Sequence, residues 1–135
     1  MSLIQPPFDS IKSTVMHVLG DAVRLVIVFG SCATGKARPD SDLDIAVDCG
    51  QTLTPVQNLA LIGSLAELTG RPIDLVDLRS AGEPLLGQIL QLGQRIHGSD
   101  EAFAYYLTQH MTDMADFVPL QQRILKERRQ AWIGR

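Results

Sequence analysis

Cysteines and aromatic residues are scarce in this chain of 135 residues. Aromatic side chains make up 5% of it, and the two cysteines are Cys32 and Cys49. Their spacing matches neither a disulfide framework nor a zinc finger, so the sequence excludes stabilisation of the fold by either one. We expect two reduced thiols, as in a cytosolic protein, and we interpret Cys32 as a small packing residue.

The chain also lacks a basic excess and a long apolar run. Its formal net charge is −3, whereas binding to a long nucleic-acid duplex needs a strong positive charge. No stretch approaches the roughly 20 apolar residues of a membrane span. Residues 1–10 lack the basic flank and apolar run of a secretory signal. We therefore expect a cytoplasmic protein with no membrane partner and no stable duplex nucleic acid as partner.

What the chain does have is a hydrophobic pattern typical of one globular domain, with 45% hydrophobic residues. Apolar residues at steps of three and four predict a first helix that ends at Gly20. Uninterrupted or alternating apolar residues predict strands at Leu25–Phe29, Asp42–Cys49 and Pro72–Leu78, and a short one at Arg95–His97. The predicted fold class is α/β or α+β, with a small mixed sheet flanked by helices.

Helix signals separate these strands and follow the last one. Thr54, Pro55 and Gln57 form a capping box at the start of a helix that runs to Leu68. Further helices are predicted at Ser80–Leu92, from Ser99 to about Phe117, and from Leu120 to Trp132. The buried face of the helix after Ser99 is predicted to comprise Phe103, Leu107, His110, Met114 and Phe117.

Two aspartates at alternate positions of a predicted strand indicate a site for a divalent cation. Period two puts the Asp42 and Asp44 carboxylates on one face of the sheet, where like charges repel. A divalent cation removes that repulsion, and carboxylate oxygens without nearby histidine or cysteine suit Mg²⁺. Asp48 shares the same face near the end of the strand, and we interpret it as a solvated carboxylate.

The strand before this pair ends in Gly30 and Ser31. Glycine lets the backbone approach a ligand closely, while the serine hydroxyl and the N–H groups of the turn can hold phosphate oxygens. Ser41 either orients the turn before Asp42 or contacts the nucleotide. Lys36 and Arg38, in the intervening loop, either reach phosphate or are solvated.

A third acid follows in the next predicted strand. If that strand borders the Asp42 strand, Asp74 completes a site of three carboxylates. Asp77 lies three residues later and points to the other face of a regular strand, so it is the expected surface residue or strand-end cap. Such a site suits attack on a nucleoside triphosphate, with Asp74 taking the proton of an acceptor hydroxyl.

Gly30-Ser31, ten residues, then Asp42-Leu43-Asp44 resembles the signature of DNA polymerase β-type nucleotidyltransferases. The stretch VFGSCATGKARPDSDLDIAV is similar to the minimal nucleotidyltransferase branch, whose members include antitoxins of HEPN-domain toxins. The resemblance covers roughly residues 25–92, and the C-terminal third matches only in its helical character.

The resemblance implies the nucleotidyltransferase fold and a role for each motif residue. Gly30 and Ser31 would hold the triphosphate of ATP, Asp42 and Asp44 would ligate Mg²⁺, and Asp74 would be the third carboxylate and metal ligand. The implied reaction is transfer of AMP from ATP to a tyrosine of a cognate HepT-like HEPN RNase toxin, as in a type VII-like toxin–antitoxin pair.

Two other functions stay open at this point. The chain could block its toxin by binding alone, although a blocker has no need of clustered acids. It could also adenylylate a small molecule such as an aminoglycoside, although few residues follow Gly98 to build an acceptor pocket. The expected organisation is a nucleotidyltransferase domain at residues 1–98 and a helical extension at 99–135. Leu120 onward is expected to dock the partner, in a homo- or hetero-oligomer.

Overall fold

A computed structural model of the chain describes residues 8–115. Its centre is a four-stranded sheet of β1 (Leu25–Phe29), β2 (Leu43–Asp48), β3 (Ile73–Asp77) and β4 (Gln94–Gly98) in the order β3-β2-β1-β4. β1 pairs antiparallel with β2 and β4, whereas β2 and β3 run parallel. This is the mixed sheet expected from the hydrophobic pattern, and all four predicted strands are confirmed.

Five helices surround the sheet within the described residues. They are α1 (Phe8–Leu19), α2 (Ser31–Thr34), α3 (Pro55–Thr69), α4 (Leu85–Leu92) and α5, which spans residues 100–115. α3 begins with the predicted capping box, in which Thr54 and Gln57 exchange two hydrogen bonds. Ser99 caps α5, because its hydroxyl accepts a hydrogen bond from the amide of Ala102 at 3.1 Å.

The start of α4 differs from the expectation from sequence. The prediction placed it at Ser80, but the helix begins at Leu85, after a turn. Pro84 explains the difference, because the ring of a proline disfavours the helical conformation of the residue before it. A helix through Glu83 is therefore unfavourable, whatever the apolar pattern of the segment.

The two faces of the sheet carry separate cores. Odd-numbered residues of β2, such as Leu43 and Ile45, pack with α1 and α3, whereas Ala46 packs with α4 and α5. The alternation follows from the two-residue period of a strand. The acids Asp44 and Asp74 therefore lie on the face that α4 and α5 cover further along the sheet.

The buried face of α5 is only partly as predicted. Tyr106 is the buried anchor at 2% exposure, although the sequence pattern did not include it, while Leu107 and Met114 are exposed at 37% and 38%. Phe103 and His110 are half-buried, as the pattern suggested. The period of the apolar residues located the helix, but the packing partner below it decided which side faces inward.

Parts of the predicted helices lie outside the described residues. They are Ile4, where the apolar pattern of the predicted first helix begins, Phe117, and the segment Leu120–Trp132. Within residues 8–115, no helix has both the length and the apolar character needed to cross a bilayer.

Candidate active site

The turn after β1 brings the chain against the carboxylate of Asp44. Gly30 has φ 69° and ψ −155°, a conformation that L side chains rarely adopt. A β-carbon at this position would overlap Oδ2 of Asp44. Ser31 then opens α2 and lies half-buried beside the turn. The motif's glycine and its second aspartate are therefore direct neighbours, at the end of β1.

Asp44 and Asp74 face each other across adjacent parallel strands. They are register partners in β2 and β3. The strand of Asp74 therefore borders the strand of Asp44, which was the condition for a site of three carboxylates. Burial, then a side-chain hydrogen bond with Asp74 and the charges of Asp74 and Asp42, raise the pKa of Asp44 to about 6. Like charges on neighbouring carboxylates repel, and this favours the protonated form of Asp44.

Asp42 lies one residue before β2 and is exposed. The turn that leads into it is closed by Ser41, whose hydroxyl accepts a hydrogen bond from the amide of Arg38 at 2.7 Å and whose amide donates to the carbonyl of Arg38 at 3.0 Å. These contacts show Ser41 orienting the turn before Asp42, which is one of the two roles that the sequence left open for it. The side chain of Arg38 is exposed, as is Lys36.

The donor set of this site fits a hard divalent cation. All three acids offer oxygen. The pKa of Asp44 is raised first by burial and then by its hydrogen bond with Asp74 and the charges of Asp74 and Asp42, and a bound cation would relieve the repulsion among these charges. Within residues 8–115, no group of three or more acidic, histidine or cysteine side chains is already gathered tightly enough to hold a metal. Mg²⁺ in nucleotide sites usually takes one or two carboxylates, with phosphates and water completing its shell, so a gathered cluster is not required.

Asp77 occupies the opposite face and has a structural role. Its carboxylate accepts hydrogen bonds from the amides of Leu53 at 2.9 Å and Arg79 at 3.0 Å, which caps the end of β3. The expectation that one of Asp74 and Asp77 is a strand-end cap is confirmed for Asp77.

The prediction for Asp48 was wrong. This acid is 4% exposed and accepts hydrogen bonds from the hydroxyl of Tyr106 at 2.7 Å and the amide of Gly50 at 2.8 Å. Burial of Tyr106, followed in size by its hydrogen bond to Asp48, raises the pKa of the Tyr106 hydroxyl. Asp48 is buried because α5 covers this end of the sheet, which the position of Asp48 near a strand end does not reveal.

Cys32 has the packing role expected of it, and His97 and His110 each have a polar partner. Cys32 is fully buried in the core, and burial raises the pKa of its thiol. His110 lies 2.6 Å from a carboxylate oxygen of Glu83, and His97 lies 3.2 Å from the carbonyl of Val23.

The residue that sequence reasoning missed at this site is Arg71. It is 5% exposed, and its Nη1 donates to the carbonyls of Arg38 at 2.6 Å and Ser41 at 3.0 Å. An arginine between a helix-ending glycine and a proline carries no periodic signal, so nothing in the local pattern indicates that it is buried.

Comparison with known proteins identifies the family of this chain. A family model described as polymerase beta, nucleotidyltransferase matches residues 10–102. The protein adenylyltransferase MntA of Shewanella oneidensis is 38% identical over 99 residues, which are 69% of this chain and 71% of that protein.

Two solved structures share the fold. A crystal structure of a toxin–antitoxin with AMP-PNP matches with a TM-score of 0.75 and 25% identity, over 88% of this chain and 96% of that chain. The tri-AMPylated HEPN toxin of Shewanella oneidensis in complex with MNT antitoxin includes a chain that matches with a TM-score of 0.67 and 24% identity, over 90% of this chain and 98% of that chain. The chain belongs to the polymerase β nucleotidyltransferase family, because the family model matches residues 10–102 and the chain is 38% identical to MntA of Shewanella oneidensis.

Proposed function

We propose that this chain is a cytoplasmic antitoxin that transfers AMP from ATP to a tyrosine of a HepT-like HEPN toxin. The support is twofold. The relative at 38% identity is a protein adenylyltransferase, and a structural relative of the same fold is a toxin–antitoxin with an ATP analogue. The single observation that carries the proposal here is that Asp44, which lies against Gly30, pairs in register with Asp74.

Each motif residue then has a part in holding the substrate. The absence of a side chain at Gly30 lets the Asp44 carboxylate lie against the turn, and the backbone of that turn, with the hydroxyls of Ser31 and Ser41, holds the phosphate oxygens. Asp42, Asp44 and Asp74 would hold Mg²⁺. When bound, the ion neutralises charge on the phosphates and so favours attack on them.

The reaction itself is an in-line displacement at the α-phosphorus. The tyrosine oxygen of the toxin forms a bond to the α-phosphorus, the bond from that phosphorus to the bridging oxygen breaks, and pyrophosphate leaves with the electron pair. Asp74 takes the phenolic proton. Asp74 is suited to this because it is exposed, whereas Asp44 is partly buried beside Gly30. General-base assistance of this kind contributes about 10²–10⁴ in rate.

The acceptor tyrosine belongs to another molecule. The chain has two tyrosines, Tyr105 and Tyr106. Tyr106 is bound to Asp48, which is four residues along β2 from Asp44 and therefore about 13 Å away. Tyr105 lines a cavity of about 780 Å³ at that same end of the sheet, together with Asp48 and Arg24. Both tyrosines of this chain therefore lie near Asp48, at the end of β2 opposite Asp44 and its partner Asp74.

Residues 1–98 would form the catalytic domain and residues 99–135 its helical extension. α5 already belongs to the same core, through Tyr106. The acids are open to solvent at one end of the sheet, which leaves room for a protein segment to approach them.

The test is co-expression with the product of the neighbouring gene, which the proposal expects to be the toxin, followed by intact mass measurement of that product. We expect the toxin to gain the mass of one or more AMP units, and an Asp42→Asn/Asp44→Asn variant to bind the toxin without adding them. Asp77→Asn is the matched control, since this acid lies on the other face.

Two outcomes would contradict the proposal. A double variant that still silences the toxin's RNase activity as well as the wild type would make the chain a simple blocker. An unmodified toxin, together with transfer of AMP to an aminoglycoside, would make it a small-molecule enzyme.

A further inference from the structure

Arg71 connects the end of α3 to the loop that precedes Asp42. Its backbone is fixed on both sides: Gly70 closes α3 with a left-handed residue, and the carbonyl of Pro72 accepts a hydrogen bond from the amide of Leu43 at 2.9 Å. From this fixed position, the guanidinium reaches across to two carbonyls in the loop, those of Arg38 and Ser41. The second of these belongs to the peptide bond that joins Ser41 to Asp42.

The burial of this cation needs an explanation. A guanidinium at 5% exposure loses most of its hydration, and such a charge is costly unless it is paired or fully bonded. Among residues 8–115, neither of the ion pairs found involves Arg71. Its compensation comes from the two loop carbonyls, those of Arg38 and Ser41. The next carbonyl along the chain, that of Asp42, accepts a hydrogen bond from the thiol of Cys32 at 3.5 Å.

We propose that Arg71 is a positioning residue for the active site: it holds the Ser41–Asp42 peptide so that the Asp42 carboxylate is directed toward Asp44 and Asp74. The loop before Asp42 is otherwise polar, and its own buried side chain, that of Ala37, is a single methyl group that anchors the chain weakly. Arginine suits the role because its planar group presents several donors in fixed directions, which lysine does not. Arg71 touches no reacting atom and acts only through the loop.

The inference rests on the proposed function for its activity measurement only. The first measurement is hydrogen exchange of the loop amides between residues 38 and 42, above all the hydrogen-bonded amides of Arg38 and Ser41, in the ligand-free protein, comparing wild type with Arg71→Met. We expect exchange to accelerate at least about tenfold there and to stay unchanged in β1, because the loop loses its anchor. Arg24→Met is the matched control, since Arg24 is an exposed arginine at the other end of the sheet.

The second measurement is the affinity for Mg-ATP by calorimetry. Residues that orient metal ligands typically change affinity by about 10–100-fold, and we expect a loss in that range for Arg71→Met, with partial rescue by Arg71→Lys. AMP transfer should then show a raised KM for Mg-ATP and a kcat within about threefold of wild type, because saturating ligand re-forms the site. A residue that only stabilised the fold would lower the melting temperature without changing the affinity of the folded protein.

Unchanged exchange at residues 38–42, or unchanged Mg-ATP affinity, would overturn the inference. If Arg71→Met does not fold, Arg71→Lys and Arg71→Gln carry the same two measurements. A wild-type chain that binds Mg-ATP but transfers no AMP would contradict the proposed function. In that case the exchange and affinity results would still decide the role of Arg71.

Discussion

The carboxylate of Asp44 lies against the α-carbon of Gly30, so closely that no side chain fits between them. Glycine is required here twice over, by the contact and by its φ of 69°. The same carboxylate faces Asp74 on its other side, across the parallel strand pair. One aspartate thus links the turn, the central strand and the third acid, so a change at any of the three positions should affect the other two.

Gly30→Ala should abolish AMP transfer while costing only about 1–3 kcal/mol of stability. The stability cost comes from an unfavourable backbone conformation, and the loss of activity comes from the displaced Asp44 side chain. Transfer assays and thermal melts measure the two effects. Gly20→Ala is the matched control, because Gly20 has φ 78° and open space around it, so it has the strain without the collision. Equal activity losses in both variants would contradict the role of the contact.

Mg-ATP binding should strengthen as pH rises through about 6, the pKa of Asp44 in the metal-free protein. The cation needs the ionised carboxylate, and below this pH the proton competes with it. The free energy of unfolding of the metal-free protein should instead decrease as the pH rises over this range. The raised pKa of Asp44 adds stability that is fully present below pH 3.8, the ordinary pKa of the group, and is lost as pH rises through about 6.

Calorimetry and thermal melts between pH 4 and pH 8 check both halves of this prediction. Asp44→Asn should remove the pH dependence and stabilise the metal-free protein by about 1 kcal/mol at pH 7, allowing for solvent screening. An Asp44→Asn variant that unfolds would instead make this carboxylate a structural group.

Asp74→Ala and Asp77→Ala should separate activity from stability. Loss of Asp74 should reduce kcat by about 10²–10⁴, with little change in melting temperature, because it is exposed at the active-site end. Loss of Asp77 leaves two amides without their partner and should cost about 1–3 kcal/mol, with transfer retained. Steady-state kinetics and denaturant melts of both variants make the test, and the reverse pattern would contradict the assigned roles.

Tyr106→Phe should destabilise the fold without affecting catalysis. The change removes the hydroxyl donor to buried Asp48, which costs about 1–3 kcal/mol in an unfolding experiment. Tyr105→Phe is the control, because that ring is 63% exposed and should change stability by less than about 0.5 kcal/mol. A Tyr106→Phe variant as stable as wild type would mean that the bond to Asp48 contributes nothing.

Deleting residues 120–135 should weaken toxin binding and modification while leaving the fold and Mg-ATP binding intact. The expectation comes from the sequence, where Leu120, Ile124, Leu125 and Trp132 alternate with arginines and glutamines, a composition common in interfaces. Pull-down and modification rate against the full chain measure the effect. Modification at the full rate by the shortened chain would place the interface elsewhere.

The sequence by itself determined the strands, the order of the elements and the motif of the site. Continuous or alternating apolar residues locate strands because the side chains on a buried face of a strand must be apolar. The capping box of α3 is visible in the sequence because its hydrogen bonds join residues three positions apart. The sequence was also enough to place Gly30 near Asp44, because β1 and β2 are consecutive in the chain and consecutive strands usually pair.

Only the tertiary structure decided what depends on distant partners. Asp74 meets Asp44 because β3 lies parallel beside β2, and Asp48 is buried because Tyr106 of α5 covers it, 58 residues along the chain. Arg71 likewise reaches loop carbonyls 30 and 33 residues away. Local periodicity reports which face of an element is apolar. Whether a polar group on that face is solvated or buried depends on which element packs above it, and that is a property of the assembled fold.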